Sequence, residues 1–151
     1  MHILFVCSGN TCRSPMAEAL FVQQLKKKKT ISGNEIIAQS AGIYALHGSP
    51  ASREAVKVMA EMDIDISNHQ AQTLHEDLVQ WADLILTMTE AHSREIIKEY
   101  DVPVGKICTL AKFSRGEHAD VIDPFAAGIQ TYRQCARQIK SMIGEIIKKI
   151  S

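Results

Sequence analysis

Hydrophobic and polar positions along the chain follow two alternating patterns. Short, nearly continuous apolar runs lie at residues 2–6, 36–40, 83–88 and 106–110, as is typical of buried strands in a parallel sheet. Between and after these runs, apolar residues recur in steps of three and four, which is the period of an amphipathic helix. The alternation predicts an α/β fold with a parallel sheet and helices on both faces, and we expect four strands in the order 2-1-3-4.

Helix boundaries are predicted from capping and turn signals. The predicted helices run from Arg13 to about Lys28, from Ser49 or Pro50, from an N-cap at Thr73 through Trp81, after Thr89–Glu90, and from Ile129 onward. Glu76 would complete a capping box with Thr73, a turn is expected at residues 32–34, and Ile96 and Ile97 are expected to be buried. No linker or repeat divides the chain, so residues 1–151 are predicted to form one domain.

The first predicted strand is followed at once by Cys7-Ser8-Gly9-Asn10-Thr11-Cys12-Arg13-Ser14. A strand, a tight loop and a helix N-terminus together form an anion site, because loop amides and the helix dipole both favour negative charge. In the order 2-1-3-4, ligands bind beyond the end of the first strand, which is the same place. The spacing of Cys7 and Arg13 brings a thiolate and a guanidinium to one phosphate-sized anion.

A structural interpretation competes with this one: Cys7 could be a buried thiol at a strand end, and Arg13 a solvated residue at a helix start. The Gly9–Asn10 turn, the preceding strand and the Ser14–Pro15 helix start favour the phosphate loop. We therefore predict that Cys7 attacks phosphorus while Arg13 and the loop amides hold the phosphoryl oxygens.

The segment VCSGNTCRSPMAEA resembles the active-site loop of the low-molecular-weight protein-tyrosine phosphatase family. The resemblance continues through Ser40–Gly42, Ala82–Met88 and Asp123–Phe125, and it is greatest to the bacterial protein arginine phosphatase branch. It implies a cysteine-dependent phosphatase that works through a phosphocysteine intermediate and without a cofactor. It also implies that Asp123 is the general acid, although an Asp-Pro aspartate can equally cap a helix.

The resemblance also suggests how substrate is bound. The residues expected to contact the substrate or its phosphate are Ser8, Gly9, Asn10, Thr11, Cys12, Ser14, Ser40, Tyr44 and Phe125. Ser40 would support the loop, unless it only bonds its own turn, while Tyr44 and Leu46 would line the cleft, and Tyr44 could equally be a packing residue. Polar Thr11, where tyrosine phosphatases usually carry Ile or Leu, and Phe125 in place of Tyr favour phosphoarginine; phosphotyrosine is the alternative.

For the other cysteines, for His69 and for Asp120 we predict redox or structural roles rather than direct catalysis. Cys12 could trap an oxidised Cys7 as a disulfide, or it could only pack the loop. Cys108 and Cys135 are predicted to be inert, His69 to order the loop, and Asp120 to be structural.

Composition narrows the classes of function. A formal net charge of zero over 151 residues does not indicate binding to nucleic acid or to an acidic membrane. We expect a cytoplasmic monomer that holds no metal and whose partners are phosphorylated proteins. An arsenate reductase is disfavoured because residues 83–107 contain no cysteine; a non-catalytic phospho-residue binding module is the rival of another class.

Overall fold

The sheet has the predicted strands in the predicted order. The computed structural model describes residues 1–28 and 35–150, so the turn predicted at residues 32–34 lies outside the described residues. The strands are β1 (His2–Cys7), β2 (Ile37–Gly42), β3 (Leu84–Thr87) and β4 (Ile107–Thr109). Every neighbouring pair is parallel in the order β2-β1-β3-β4, which confirms the predicted fold class.

Helices cover both faces of this sheet. They are α1 (Arg13–Lys27), α2 (Arg53–Glu61), α3 (Glu76–Trp81), α4 (Glu90–Glu99), α5 (Leu110–Arg115) and α6 (Ile129–Ile150). Side chains of β1 alternate between two cores: Ile3 and Phe5 pack with α1, α2 and α6, whereas Leu4 and Val6 pack with α3 and α4. Burial on both faces is why this strand is an unbroken apolar run.

Two predicted helix starts were wrong. The second helix begins at Arg53, where Ser52 accepts a hydrogen bond from the Ala55 amide, rather than at Ser49 or Pro50. Thr73 does not cap the third helix: it forms a parallel bridge with Gly42, and its hydroxyl donates to the Ala45 carbonyl at 3.1 Å. The Thr73 hydroxyl is therefore bound to Ala45 and does not form the predicted capping box.

The segment from 97 to 115 also differs from prediction. Ile97 is 54% exposed because it lies one residue out of phase with buried Ile96 on α4, so its predicted burial was wrong. The fourth strand ends at Thr109, and α5 follows it directly. The Thr109 hydroxyl caps this helix by accepting a hydrogen bond from the Lys112 amide. The apolar pattern had not predicted α5. Gly116 ends that helix in a left-handed conformation at φ 70°.

Candidate active site

Backbone hydrogen bonds join the loop between β1 and α1 to the residues that directly follow β2. The Tyr44 amide donates to the Ser8 carbonyl at 2.9 Å, and the Ile43 amide donates to the Cys7 carbonyl at 3.0 Å. At Gly42 an added Cβ would lie 2.6 Å from the Ser8 carbonyl oxygen and 2.9 Å from the Asn10 amide nitrogen. Glycine at this position therefore lets the loop sit directly against β2.

Asn10 holds the loop from behind. It is fully buried at φ 56°, a left-handed conformation that asparagine tolerates better than most residues. Its side-chain nitrogen donates to Ser14 Oγ at 2.8 Å and to Ser40 Oγ at 2.9 Å, and its side-chain oxygen accepts from the Gln72 amide. These bonds join the side chains of Asn10, Ser14 and Ser40 and hold the shape of the loop. None of the three residues lines the cavity at Cys7, so the substrate contacts expected of them stay predictions.

His69 completes this support from the far side. Its Nε2 lies 2.8 Å from the Asn10 carbonyl oxygen, which agrees with the loop-ordering role predicted for it. The imidazole must donate in this contact, since a carbonyl can only accept. The left-handed turn at Asn10 is therefore fixed through both its side chain and its backbone.

Cys7 is 3% exposed at the end of β1, and polar groups surround its sulfur. Ser14 Oγ lies 2.9 Å from the Cys7 sulfur, and the Asn10 amide donates to the same sulfur at 3.3 Å. The N-terminus of α1 adds partial positive charge beside it. A hydroxyl, a backbone amide and the positive end of a helix dipole therefore lie at this sulfur, an arrangement suited to binding an anion beside it.

Arg13 joins the loop to a second segment that precedes α6. The residue is 6% exposed, and its Nη1 donates to the Val121 carbonyl at 3.2 Å. Its Nη2 lies 3.7 Å from Asp123 Oδ2, although the Asp123 side chain is 60% exposed. Asp123 Oδ1 also accepts from the Phe125 amide, so the helix-cap alternative has a geometric basis as a local turn.

These groups share one cavity of about 260 Å³. It is lined by Cys7, Ser8, Gly9, Thr11, Cys12, Arg13, Asp123 and Phe125. Of the predicted wall residues, Phe125 lies at this cavity and is 73% exposed. Tyr44 instead lines a different cavity of about 220 Å³ with Tyr100, and the residue is 70% exposed.

Tyr132 was not predicted to be near the site. Its hydroxyl lies 3.3 Å from Cys12 Sγ, which also donates to Ser52 Oγ. Burial and the contact with Cys12 raise the pKa of Tyr132 to about 12, so the phenol stays neutral. In the sequence Tyr132 is one member of the apolar stripe of α6, and nothing in that pattern marks its hydroxyl.

His92 was also missed. The residue is 6% exposed on the first turn of α4, and its Nε2 lies 2.9 Å from Ser8 Oγ. Burial, reinforced by the charge of Arg13, lowers the pKa of His92 to about 4. Asp120, predicted to be structural, accepts from the Glu90 amide at 2.9 Å and so fixes the start of the same helix.

Residues 1–28 and 35–150 contain no group of three His, Cys, Asp or Glu side chains that could hold a metal ion. Among the helices of the same residues, none is long and apolar enough to cross a membrane.

Comparison with known proteins identifies relatives along the whole chain. Residues 2–151 match the model of the low molecular weight phosphotyrosine protein phosphatase family. The protein-arginine-phosphatase of Bacillus subtilis is 37% identical over 150 residues, which are 99% of this chain and 97% of the relative.

Two solved structures are similar in backbone as well as in sequence. A low molecular weight protein tyrosine phosphatase from T. tengcongensis is 41% identical with a TM-score of 0.90 and covers 99% of both chains. A cysteine-to-serine variant of the YwlE arginine phosphatase, with a phosphorylated active-site serine, is 35% identical with a TM-score of 0.92. That match covers 99% of this chain and 95% of the variant.

Proposed function

The chain belongs to the low molecular weight phosphotyrosine protein phosphatase family, and we propose that it hydrolyses phosphoarginine in proteins through a phosphocysteine on Cys7. The observation that carries the proposal is the convergence of Cys7, Arg13 and Asp123 on one cavity beside the α1 N-terminus. A related arginine phosphatase becomes phosphorylated on serine when its active-site cysteine is replaced, which supports covalent chemistry at this loop.

In the first proposed step, the Cys7 thiolate attacks phosphorus and the bond from phosphorus to the guanidinium nitrogen breaks. Asp123, exposed enough to reach substrate, gives its proton to the leaving nitrogen. Arg13 and the loop amides hold the three equatorial oxygens as charge develops on them. The Ser14 hydroxyl, 2.9 Å from the sulfur, stabilises the thiolate before attack.

In the second step, Asp123 is a carboxylate and accepts a proton from water as the water oxygen attacks phosphorus. The sulfur–phosphorus bond breaks, inorganic phosphate leaves, and Cys7 returns to the thiolate. Protons balance because the one that Asp123 gave away in the first step is regained in the second. No cofactor takes part in either step.

Thr11 and Phe125 support phosphoarginine as the substrate. Both line the Cys7 cavity, where a hydroxyl can bond a guanidinium nitrogen and an aromatic ring can pack beside its planar group. Phosphotyrosine is the alternative, because the T. tengcongensis relative named a tyrosine phosphatase is 41% identical. The presence of both a nucleophile and an acid at one cavity favours an enzyme over a non-catalytic binding module.

Cys12 supports a second proposal, reversible inactivation by peroxide. Peroxide oxidises the Cys7 thiolate to a sulfenic acid, and the Cys12 thiol then displaces water from it to form a disulfide. Both cysteines line the same cavity. In Cys12→Ala we expect peroxide still to inactivate the enzyme, but thiol reductants should no longer restore its activity. Recovery of activity equal to that of the wild type would contradict the proposal.

We also propose a cellular compartment and a domain organisation for the protein. A catalytic thiol is most readily kept reduced in a reducing compartment, which supports the cytoplasm. Both cores share β1, which supports one domain over residues 1–151.

The deciding experiment compares kcat/KM for a phosphoarginine protein and for a phosphotyrosine peptide, before and after Thr11→Ile. We expect the wild type to prefer phosphoarginine and the variant to lose most of that preference. Thr131→Ile, on the first turn of α6 and outside the cavity, is the matched control. A wild type that prefers phosphotyrosine would overturn the substrate, and turnover surviving in Cys7→Ser would overturn the mechanism.

A further inference from the structure

The side chain of Ser8 is held by a residue from a distant part of the chain. Ser8 follows Cys7 directly and lines the cavity, and its carbonyl already accepts from the Tyr44 amide. Its hydroxyl oxygen lies 2.9 Å from His92 Nε2. His92 is itself fixed on α4, where its amide donates to the Thr89 hydroxyl at 3.1 Å.

The other ring nitrogen of His92 decides which atom carries the proton. Nδ1 is buried and has no hydrogen-bond partner among the described residues. A neutral imidazole has one N–H, and an N–H on Nδ1 would be a buried donor with no acceptor, which is rarer and more costly than an unpaired lone pair. We therefore assign the proton to Nε2, which donates it to Ser8 Oγ.

This assignment frees the proton of the Ser8 hydroxyl. A hydroxyl offers one donor and two acceptor sites, and His92 occupies an acceptor site. We propose that His92 is a positioning residue whose Nε2–H turns the Ser8 hydroxyl toward the cavity, where it donates to an oxygen of the phosphoryl group bound over Cys7. The inference rests on the proposed phosphatase function and adds one side-chain donor to the backbone amides.

The His92 ring lies near charged residues of both the phosphate loop and the segment that carries Asp123. Arg13 lies close enough that its charge disfavours a proton on His92, while Asp120 and Asp123 act in the opposite sense. Burial decides the balance and keeps the ring neutral, with its pKa at about 4. At pH values well above 4, the neutral ring can present a lone pair at Nδ1 and a proton at Nε2.

Kinetics on an aryl phosphate test the proposal through Ser8→Ala, His92→Leu and the double variant. Loss of one donor to developing charge should lower kcat by roughly 10- to 100-fold, somewhat less than a full oxyanion-hole donor, with a smaller change in KM. The double variant should be no slower than the slower single variant, because both changes remove one interaction. Multiplied losses in the double variant, or an unchanged kcat in Ser8→Ala, would overturn the proposal.

The conservative variant separates positioning from packing. In His92→Gln the side-chain amide can still donate to Ser8, so we expect most of the kcat lost in His92→Leu to return. His75→Leu, at an exposed position, is the matched control for a histidine-to-leucine change. A kcat in His92→Gln as low as that in His92→Leu would show that the ring only fills space.

Two measurements that do not depend on enzyme activity test this inference separately from the proposed function. In ¹⁵N NMR spectra of the full chain, His92 should show the Nε2–H tautomer, and inorganic phosphate should bind several-fold more weakly to Ser8→Ala than to the wild type. If the wild type lacked phosphatase activity but showed both results, only the proposed function would fail. The Nδ1–H tautomer, or equal phosphate affinity, would reject the inference itself.

Discussion

The two halves of the site are built in opposite ways. In the phosphate loop and at the start of α1, Asn10 and Ser14 are fully buried, and Arg13 is 6% exposed. In the segment that carries the acid, the Asp123 side chain is 60% exposed and Phe125 is 73% exposed. Val121 anchors that segment: it is 1% exposed, its amide donates to the Met88 carbonyl, and its own carbonyl accepts from Arg13.

The difference corresponds to two chemical tasks. Donors fixed in advance need no reorganisation when charge develops on the phosphoryl oxygens, so the loop benefits from rigidity. A proton donor must reach leaving groups that enter with a bulky protein attached, so exposure is useful there. Substitutions in the loop should therefore change stability and rate together, whereas those at the exposed residues Asp123 and Phe125 should change the kinetics with little effect on stability.

The largest expected effect is that of Asp123→Ala. Loss of the proton donor should lower kcat by roughly 10² to 10⁴, while the free energy of unfolding should change by less than about 0.5 kcal/mol because the side chain is exposed. Steady-state kinetics and urea unfolding measure the two quantities, with the exposed Glu117→Ala as control. An unchanged rate would remove the assigned role, and a large loss of stability would remove the contrast between the two segments.

Gly42→Ala should disturb the packing of the rigid phosphate loop against β2. The new Cβ would meet backbone atoms of Ser8 and Asn10 at 2.6 and 2.9 Å, and backbone cannot rotate away as a side chain can. We expect about 1–3 kcal/mol of destabilisation together with a lower kcat. Gly144→Ala on α6, whose Cβ would lie 3.5 Å from Gln24 Oε1, is the control and should not destabilise; equal stability of the two variants would contradict this.

His92→Gln should change how stability depends on pH. The ordinary pKa of 6.5 falls to about 4 in the folded chain, so the unfolded chain binds a proton between these values and the folded chain does not. This contribution is complete above pH 6.5 and is lost as pH falls toward 4. Urea unfolding at pH 7, 5 and 4 should show the wild type losing roughly 1–3 kcal/mol more than the variant, and parallel curves would contradict this.

The smallest effect on stability is expected for Phe125→Ala. An exposed ring contributes little to the core, so the free energy of unfolding should change by less than about 0.5 kcal/mol. If the ring packs beside the substrate, KM for a phosphoarginine protein should rise several-fold, whereas an aryl phosphate should be less affected. An equal change for both substrates would indicate that Phe125 supports Asp123 rather than the substrate.

Features that depend on neighbours in sequence were predictable. The spacing from Cys7 to Arg13, the Gly9–Asn10 turn and the apolar run of β1 are local, and they located the first strand, the loop that follows it and the start of α1. The Asp-Pro pair drew attention to Asp123 only through family resemblance, because 110 residues separate it from Arg13.

Features that depend on distant contacts were not predictable. His92 meets Ser8 across 84 residues, and Tyr132 meets Cys12 across 120. No local pattern distinguishes a histidine or tyrosine that packs from one that also bonds a catalytic loop. The same reason explains Thr73, whose hydroxyl bonds Ala45 across a gap of 28 residues instead of capping its own helix.

The long separation between the loop and its supports has a consequence for newly made protein. Ribosomes produce the Cys7 segment first, but the Val121 carbonyl that holds Arg13 and the Tyr132 hydroxyl beside Cys12 are made more than 100 residues later. At 5–20 residues per second the nascent chain spends on the order of 10 seconds without them. Hydrolytic competence should therefore arise late in translation, after the last helix has begun to emerge.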